Sequence, residues 1–379
     1  MLNRRSLRVK VMQSLFAYQQ CKDANYTLAT DSIEEAFAPD LNSMEVQDKK
    51  ELNRQKAQAL KAFEKAFAQN QTTATHEDAK IQKALKEAFA LYAKGIKKDF
   101  DFIRKNLVLQ SEKIYDHYIS VLTLGVALAE AAEADKKINH GNFIKNSWIK
   151  ALAKSDELKK ESLKQGIAWD KNFDRVRQWL KDVLKQDNDY MHYLDKKSPS
   201  FDDQKKIMNH LFRKVILGKT TINEFFEEEV LYWAEDHDIV KGMVEKTIKS
   251  FNPEKDKTIQ LPVLSLNWED DRNFIEKLFT EGANLSQEHK DLIANNTRNW
   301  EVERLPLTDR VILEMAIAEL ISFPNIPVKV TINEYIELAK NYSTPKSRQF
   351  INGILDVISK ELKSMGSVKK SGRGLIDNK

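Results

Sequence analysis

The first twenty residues hold Arg4, Arg5, Arg8 and Lys10 and no acid. Clustered cations on one short segment suit contact with the phosphates and bases of a nucleic acid. On a helix, Leu7, Val11, Ser14, Leu15 and Tyr18 form an inward stripe. At 100° per residue, Arg5 and Phe16 then fall on nearly the same opposite face, with Met12 between them and Arg8 on the flank. An outward arginine in line with an outward aromatic offers a partner surface: guanidinium for phosphate, ring for an unstacked base or a protein pocket. The same spacing also fits a terminal helix whose arginines are only solvated and whose Phe16 covers neighbouring helices. A second basic group, Lys346, Arg348 and Gln349, stands where the last helix should start, just before Phe350. A helix N-terminus with cations beside it attracts phosphate. A plain surface is the competing reading there. Within that helix the stripe runs through Asn352-Gly353, so Gly353 is expected to permit a close helix approach.

Catalytic templates fail. There is no phosphate-cradling glycine loop, no GxGxxG after a strand and no GxSxG. His76, His117, His140, His192, His210, His237 and His289 are scattered, with no metal-ligand spacing. The acidic runs 227–229 and 269–271 read as solvated helix faces or helix starts, because consecutive carboxylates splay around a helix axis. The lone Cys21 excludes a disulfide framework and a cysteine-based zinc site. No metal and no cofactor are expected. Trp148, Trp169, Trp179, Trp233, Trp268 and Trp300 read as core anchors.

The elements that must position these residues are helical. Only 11 Gly and 8 Pro occur in 379 residues, below the roughly 7% and 5% of typical proteins. Few breakers and abundant Ala, Lys, Glu and Leu predict long helices and exclude sandwiches and glycine-loop α/β folds. Lys and Arg total 61 against 57 acids, a net charge of +4. The surplus sits at the ends, since the last fourteen residues carry Lys369, Lys370, Arg373 and Lys379 against Asp377. No apolar run approaches the roughly 18 residues of a membrane span, and no secretory leader is evident. A cytoplasmic protein that does not engage membranes is expected.

Periodicity predicts a first helix over 3–20, a polar stretch to about 47, and long helices over 48–137 with a buried run at 121–132. Further helices are predicted at 154–165, 170–187, 201–217 and 221–250, the last opening on a Thr221-x-x-Glu224 capping box. After a proline-bearing linker come helices at 269–282, 286–296, 308–322, 331–341 and 345–363. Thr331-x-x-Glu334 reads as a second capping box, and Thr344-Pro345 as the N-cap and first residue of the last helix. The domain reading is a first core helix at 1–20, a helical extension at 21–252, a linker at 253–267, a helical domain at 268–363 and a mobile basic tail at 364–379.

Several motifs then fall into one order. Leu305-Pro-Leu-Thr-Asp-Arg-Val-Ile-Leu, Ala316-Ile-Ala-Glu-Leu320, Ile326-Pro-Val-Lys-Val-Thr-Ile-Asn-Glu334, Glu337-Leu-Ala-Lys340 and Ser347-x-x-Phe-Ile-Asn-Gly-Ile-Leu-Asp356 resemble the NusB transcription antitermination family. Arg4-Arg5-x-x-Arg8 with Gln13-x-Leu-Phe16 resembles that family's first helix. The resemblance covers roughly residues 3–20 and 268–363, and the block between has no counterpart in a short member. It implies an all-α fold of NusB-like helical bundles carrying a large helical insertion. It implies pairing with NusE, a small-subunit ribosomal protein, binding of boxA RNA, and a place in the RNA polymerase antitermination complex, without catalysis.

By matched position, Arg4, Arg5 and Arg8, followed by Lys10, correspond to the family's arginine-rich RNA-contacting start. Lys346, Arg348, Gln349 and Phe350 correspond to an RNA-contacting segment. Phe16 and Asp309 correspond to positions facing NusE, and Met12 is grouped with them. Glu314 stands where the family commonly has arginine, and Gln349 replaces a position often basic. Arg298, Trp300 and Arg304 precede Asp309 in a looser register. A helical scaffold whose insertion is the main binding part remains the competing reading. A methyltransferase is disfavoured, because Cys21 follows Gln20 rather than proline and no strand-rich block exists.

Overall fold

The structure, a computed structural model, describes residues 1–40, 47–297 and 305–378. Among them there are sixteen α-helices and no strand. The expected all-α class is what the chain adopts, and no described helix is long and apolar enough to cross a membrane. The helices are α1 (Arg4–Ala36), α2 (Lys49–Ala68), α3 (Ala79–Glu133), α4 (Gly141–Ile144), α5 (Ser147–Lys154), α6 (Asp156–Gln165), α7 (Phe173–Asp182) and α8 (Asn188–Leu194). They continue as α9 (Phe201–His210), α10 (Thr220–Glu229), α11 (Trp233–Ser250), α12 (Trp268–Ala283), α13 (Gln287–Asn296), α14 (Leu307–Ser322), α15 (Val328–Tyr342) and α16 (Ser347–Ser364).

The chain divides into two compact units, one of residues 1–7 and 109–272, the other of 8–108 and 273–379. The boundaries fall inside α1, α3 and α12. The first unit is built on aromatic anchors: Trp148, Trp233, Tyr118, Tyr190, Phe143 and Phe212 are fully buried. Their polar edges are satisfied, as burial demands. Trp148 Nε1 donates to the Ile248 carbonyl at 3.0 Å and Trp233 Nε1 to Asn223 Oδ1 at 3.1 Å. Phe226 stacks on Trp233 at 4.4 Å, which the break between α10 and α11 permits. Sequence periodicity had joined those two helices. The stretch 253–267 is non-helical, yet Ile259 and Leu261 are buried in the same core.

In the second unit α14 is buried almost all round, from Val311 through Leu320. A helix apolar on every side belongs in the middle of a bundle, and α14 packs on α15 and α16. The other part of this unit joins α1, α2 and α3. Ala29-Ile33-Phe37, Ala59-Phe63-Ala66 and Ile81-Leu85-Ala88 supply three apolar stripes at helical spacing. That stripe carries α1 on to Ala36, well past the predicted end near residue 20. The polar residues after Lys22 are its solvated face. Gly95 lets α3 approach α1, because a Cβ there would collide with the Asn25 amide.

Local differences have local causes. Thr221 does not cap α10: Lys219 holds the N-cap position without a side-chain bond. Thr331 lies inside α15, where its hydroxyl donates to Glu319. Lys346, not Thr344, precedes α16. Open space surrounds the Gly353 Cα where a Cβ would stand, so no close helix approach needs it. The basic tail is held rather than loose, with the Ser371 amide donating to the Pro324 carbonyl at 3.1 Å. Trp300, Arg298 and Arg304 lie outside the described residues.

Candidate nucleic-acid interface

The α1 cations have different environments. Arg5 is exposed and Phe16 is 39% exposed, on the outer side where helical spacing put them. Arg4 pairs with Asp270 and, at 3.4 Å, with Asp271, in the first turn of α12. Carboxylates in a first turn also favour the helix dipole.

Arg8 departs from its expected flank position and is 3% exposed. Its Nε and Nη2 donate to the two Glu319 oxygens at 2.7 Å each. Nη1 lies 3.5 Å from Glu334, and the guanidinium stands 5.5 Å from the Phe274 ring centroid. Glu319, fully buried, also accepts from Thr331 Oγ1 at 2.9 Å and from the Tyr335 hydroxyl at 3.1 Å. Burial works against the arginine charge, but the bonds and charge of Glu319 outweigh it, and the Arg8 pKa rises above its ordinary value. The Tyr335 hydroxyl is pushed well above its usual range by burial and then by the Glu319 charge. In this structure Arg8 therefore ties α1 to α14 and α15, with no open guanidinium edge for RNA.

Lys10 and Met12, both 4% exposed, are likewise turned inward. The reason is that α1 is covered on every side over residues 7–12, all six of which are buried, a wider burial than one stripe implies. The expectation that Met12 stands outward between Arg5 and Phe16 is thus corrected.

Asp309 is 2% exposed, so its carboxylate does not face solvent. It accepts from the Ser343 hydroxyl and from Ser347 Oγ at 2.7 Å. Thr344 Oγ1 adds a 2.8 Å contact to Ser347 Oγ. This hydroxyl cluster fixes the turn that enters α16. Lys346, Arg348 and Gln349 are exposed at that helix start, and Phe350, next in the chain, is half-buried. The geometry presents two cations and a half-covered ring at a helix N-terminus, a combination able to hold phosphate.

Glu314 is surrounded by cations. Burial raises its pKa, while Lys290, Arg310 and Lys22 act in the opposite direction. The three cations acting on this carboxylate are each half-buried.

Sequence reading missed Glu319, Glu334, Asp270 and Asp271 as partners of the arginines. The signal for Glu319 was present, since it is the one ionised group in the apolar run 315–321 of α14 and a buried charge requires a counter-charge. It also missed a long-range cluster in the first unit. His210 Nε2 lies 2.9 Å from Asp187 Oδ1 and its Nδ1 3.2 Å from Asp189 Oδ2. The potential ligand atoms lie within 4.8 Å of one another. Local spacing could not reveal it, because 21 or more residues separate the histidine from the two acids. The contacts present there are those of a histidine clasped between two carboxylates.

The sequence has relatives among known proteins. The sequence model described as NusB family matches residues 239–360. Three relatives carry the name transcription antitermination protein NusB. The protein of Salinibacter ruber is 44% identical over 105 residues, covering 28% of this chain and 66% of its own. That of Chloroherpeton thalassium is 37% identical over 163 residues, covering 43% and 71%. That of Koribacter versatilis is 43% identical over 94 residues, covering 25% and 64%. The matched stretch thus spans a little under two thirds of the first and third relatives and more of the second. No solved structure matches the chain. The motifs of α14 to α16, the family match and the coverage of the Chloroherpeton relative together show that this chain belongs to the NusB family.

Proposed function

We propose that the protein is an RNA-binding transcription antitermination factor. It pairs with the ribosomal protein NusE, and the heterodimer binds boxA-type RNA in ribosomal RNA transcripts as part of the RNA polymerase antitermination complex. The carrying observation is the start of α16, where exposed Lys346, Arg348 and Gln349 precede half-buried Phe350 on a turn fastened by Asp309. Arg5 and Phe16 are exposed on α1 and supply a cation and a ring.

The roles divide by exposure. Arg5, Lys346 and Arg348 neutralise phosphate, releasing counterions and making affinity fall steeply with salt. Phe16 offers a protein pocket an aromatic anchor without disturbing its own core. Arg8 and Asp309 act through position, holding the helices that carry the exposed groups. The test is a gel shift with boxA-type RNA at low salt, with and without NusE. A shifted ternary complex that weakens as salt rises supports the reading, whereas no RNA binding by the heterodimer at low salt sinks it.

A further inference from the structure

The basic tail is not used by the function above, and in isolation it would be a solvated charge run. The fold instead fastens it to the turn between α14 and α15. The Lys370 ammonium donates to the Phe323 carbonyl at 3.0 Å. The Ser371 amide donates to the Pro324 carbonyl at 3.1 Å, and its hydroxyl to Asn325 Oδ1 at 3.3 Å. Gly372 takes a left-handed backbone with φ of 54°, and Gly374 is buried against Pro324. From α12, the Lys277 ammonium stands 5.2 Å from the Phe323 ring centroid. Lys277 and Lys370 therefore approach the same residue from two elements. Lys369, Arg373 and Lys277 are exposed around it.

Phe323 in turn meets Phe274 edge-on at 5.1 Å, and Phe274 carries Arg8 of α1 on its ring. The fastened tail thus backs onto the aromatic pair against which α1 is held. Docking a segment with Lys369, Lys370 and Arg373 beside another lysine brings like charges together, a cost that a polyanion relieves.

We propose that Lys277, Lys369 and Arg373, arranged around the Phe323–Asn325 turn by the docked tail, form a second phosphate-binding strip for single-stranded RNA. The strip extends the interface beyond the start of α16, and the proposal rests on the RNA-binding reading above. Its cations are exposed and act on the backbone, so it adds affinity and length of contact rather than base preference.

The experiment measures fluorescence anisotropy of a labelled single-stranded boxA-type RNA with the full chain and NusE, from about 50 to 200 mM salt. The Lys277→Gln, Lys369→Gln, Arg373→Gln triple variant should bind about tenfold more weakly at low salt. Its slope of log affinity against log salt should be shallower by about 2, given roughly 0.7 for each single-strand phosphate released. Its melting temperature should match the parent. A Ser371→Pro variant keeps every charge but removes the amide that docks the tail, and should lose about threefold through the cost of ordering a loose segment. If the triple variant keeps parental affinity and slope while Lys346→Ala plus Arg348→Ala weakens binding, the strip is wrong and the RNA-binding reading stands. If the triple variant loses NusE but not RNA, the surface serves protein and the proposal falls. If the parent binds no RNA at all, both fall together.

Discussion

Arg8 and Glu319, 311 positions apart in sequence, form a two-pronged ion pair at 2.7 and 2.7 Å with neither side chain more than 3% exposed. Removing one partner leaves the other charge buried and uncompensated, which costs about 3–5 kcal/mol. Glu319→Ala should therefore lower the urea midpoint sharply, and Arg8→Ala should do the same. A paired Arg8→Met, Glu319→Leu variant should recover much of the loss. Equal stability of Arg8→Ala and the parent would remove this pair from the account. It follows that lost RNA binding in Arg8→Ala would report the fold before it reports contact.

Asp309 gives a second positional prediction. Its carboxylate holds two hydroxyls, and hydrogen bonds to a charged group contribute about 1.5–3 kcal/mol. Asp309→Ala should destabilise by about 2 kcal/mol and weaken RNA binding through a loosened α16 start. Asp309→Asn keeps part of the hydrogen bonding and should fall between. Affinity and melting temperature that move independently across the three proteins would argue for direct contact instead.

Phe16 behaves oppositely, because its ring is not part of its own core. Phe16→Ala should change stability by no more than about 0.5 kcal/mol. NusE affinity should fall by about 2 kcal/mol, roughly 30-fold, as for an interface anchor. Calorimetric titration with NusE measures the second number and thermal unfolding the first. A large loss of melting temperature would place Phe16 in packing rather than at an interface.

Much of this was legible in sequence because it is local. The apolar character of 308–322, the stripe of α16 and the outward Arg5 and Phe16 all follow from helical spacing. What stayed hidden depends on partners far along the chain. Arg8, Lys10 and Met12 look available on a single-stripe wheel, but α1 is buried on every side over residues 7–12 and Glu319 claims the guanidinium. Thr331 carries the letters of a capping box, yet its hydroxyl serves Glu319 at 2.9 Å. The tail looked mobile because its fasteners are backbone carbonyls of Phe323 and Pro324, which no side-chain pattern announces.

Asp116 supplies a pH-dependent prediction. Burial, followed by the opposing effects of Lys113 and Lys164, leaves its carboxyl pKa raised from 3.8 to about 6. The folded state then holds that proton more tightly than the unfolded state. Stability from this group falls as pH rises from about 4 to about 6, and the full cost of the charge is present above that window. The side chain is only half-buried, so solvent screening reduces the effect to about 1 kcal/mol. Asp116→Asn should stabilise the protein at pH 7.5 and leave it unchanged near pH 3.5. Chemical denaturation at both pH values decides it, and a gain confined to the lower pH would reverse the sign argued here.

The central claim is that exposed cations on α1 and at the start of α16 bind RNA phosphate while buried Arg8 and Asp309 only position them. The most direct measurement is the salt dependence of boxA-type RNA binding by the NusE heterodimer, for the parent and for Arg5→Ala combined with Lys346→Ala and Arg348→Ala. The account predicts an unchanged melting temperature and a slope shallower by about 2, at roughly 0.7 per phosphate. A stable triple variant that binds with the parental affinity and slope would contradict it.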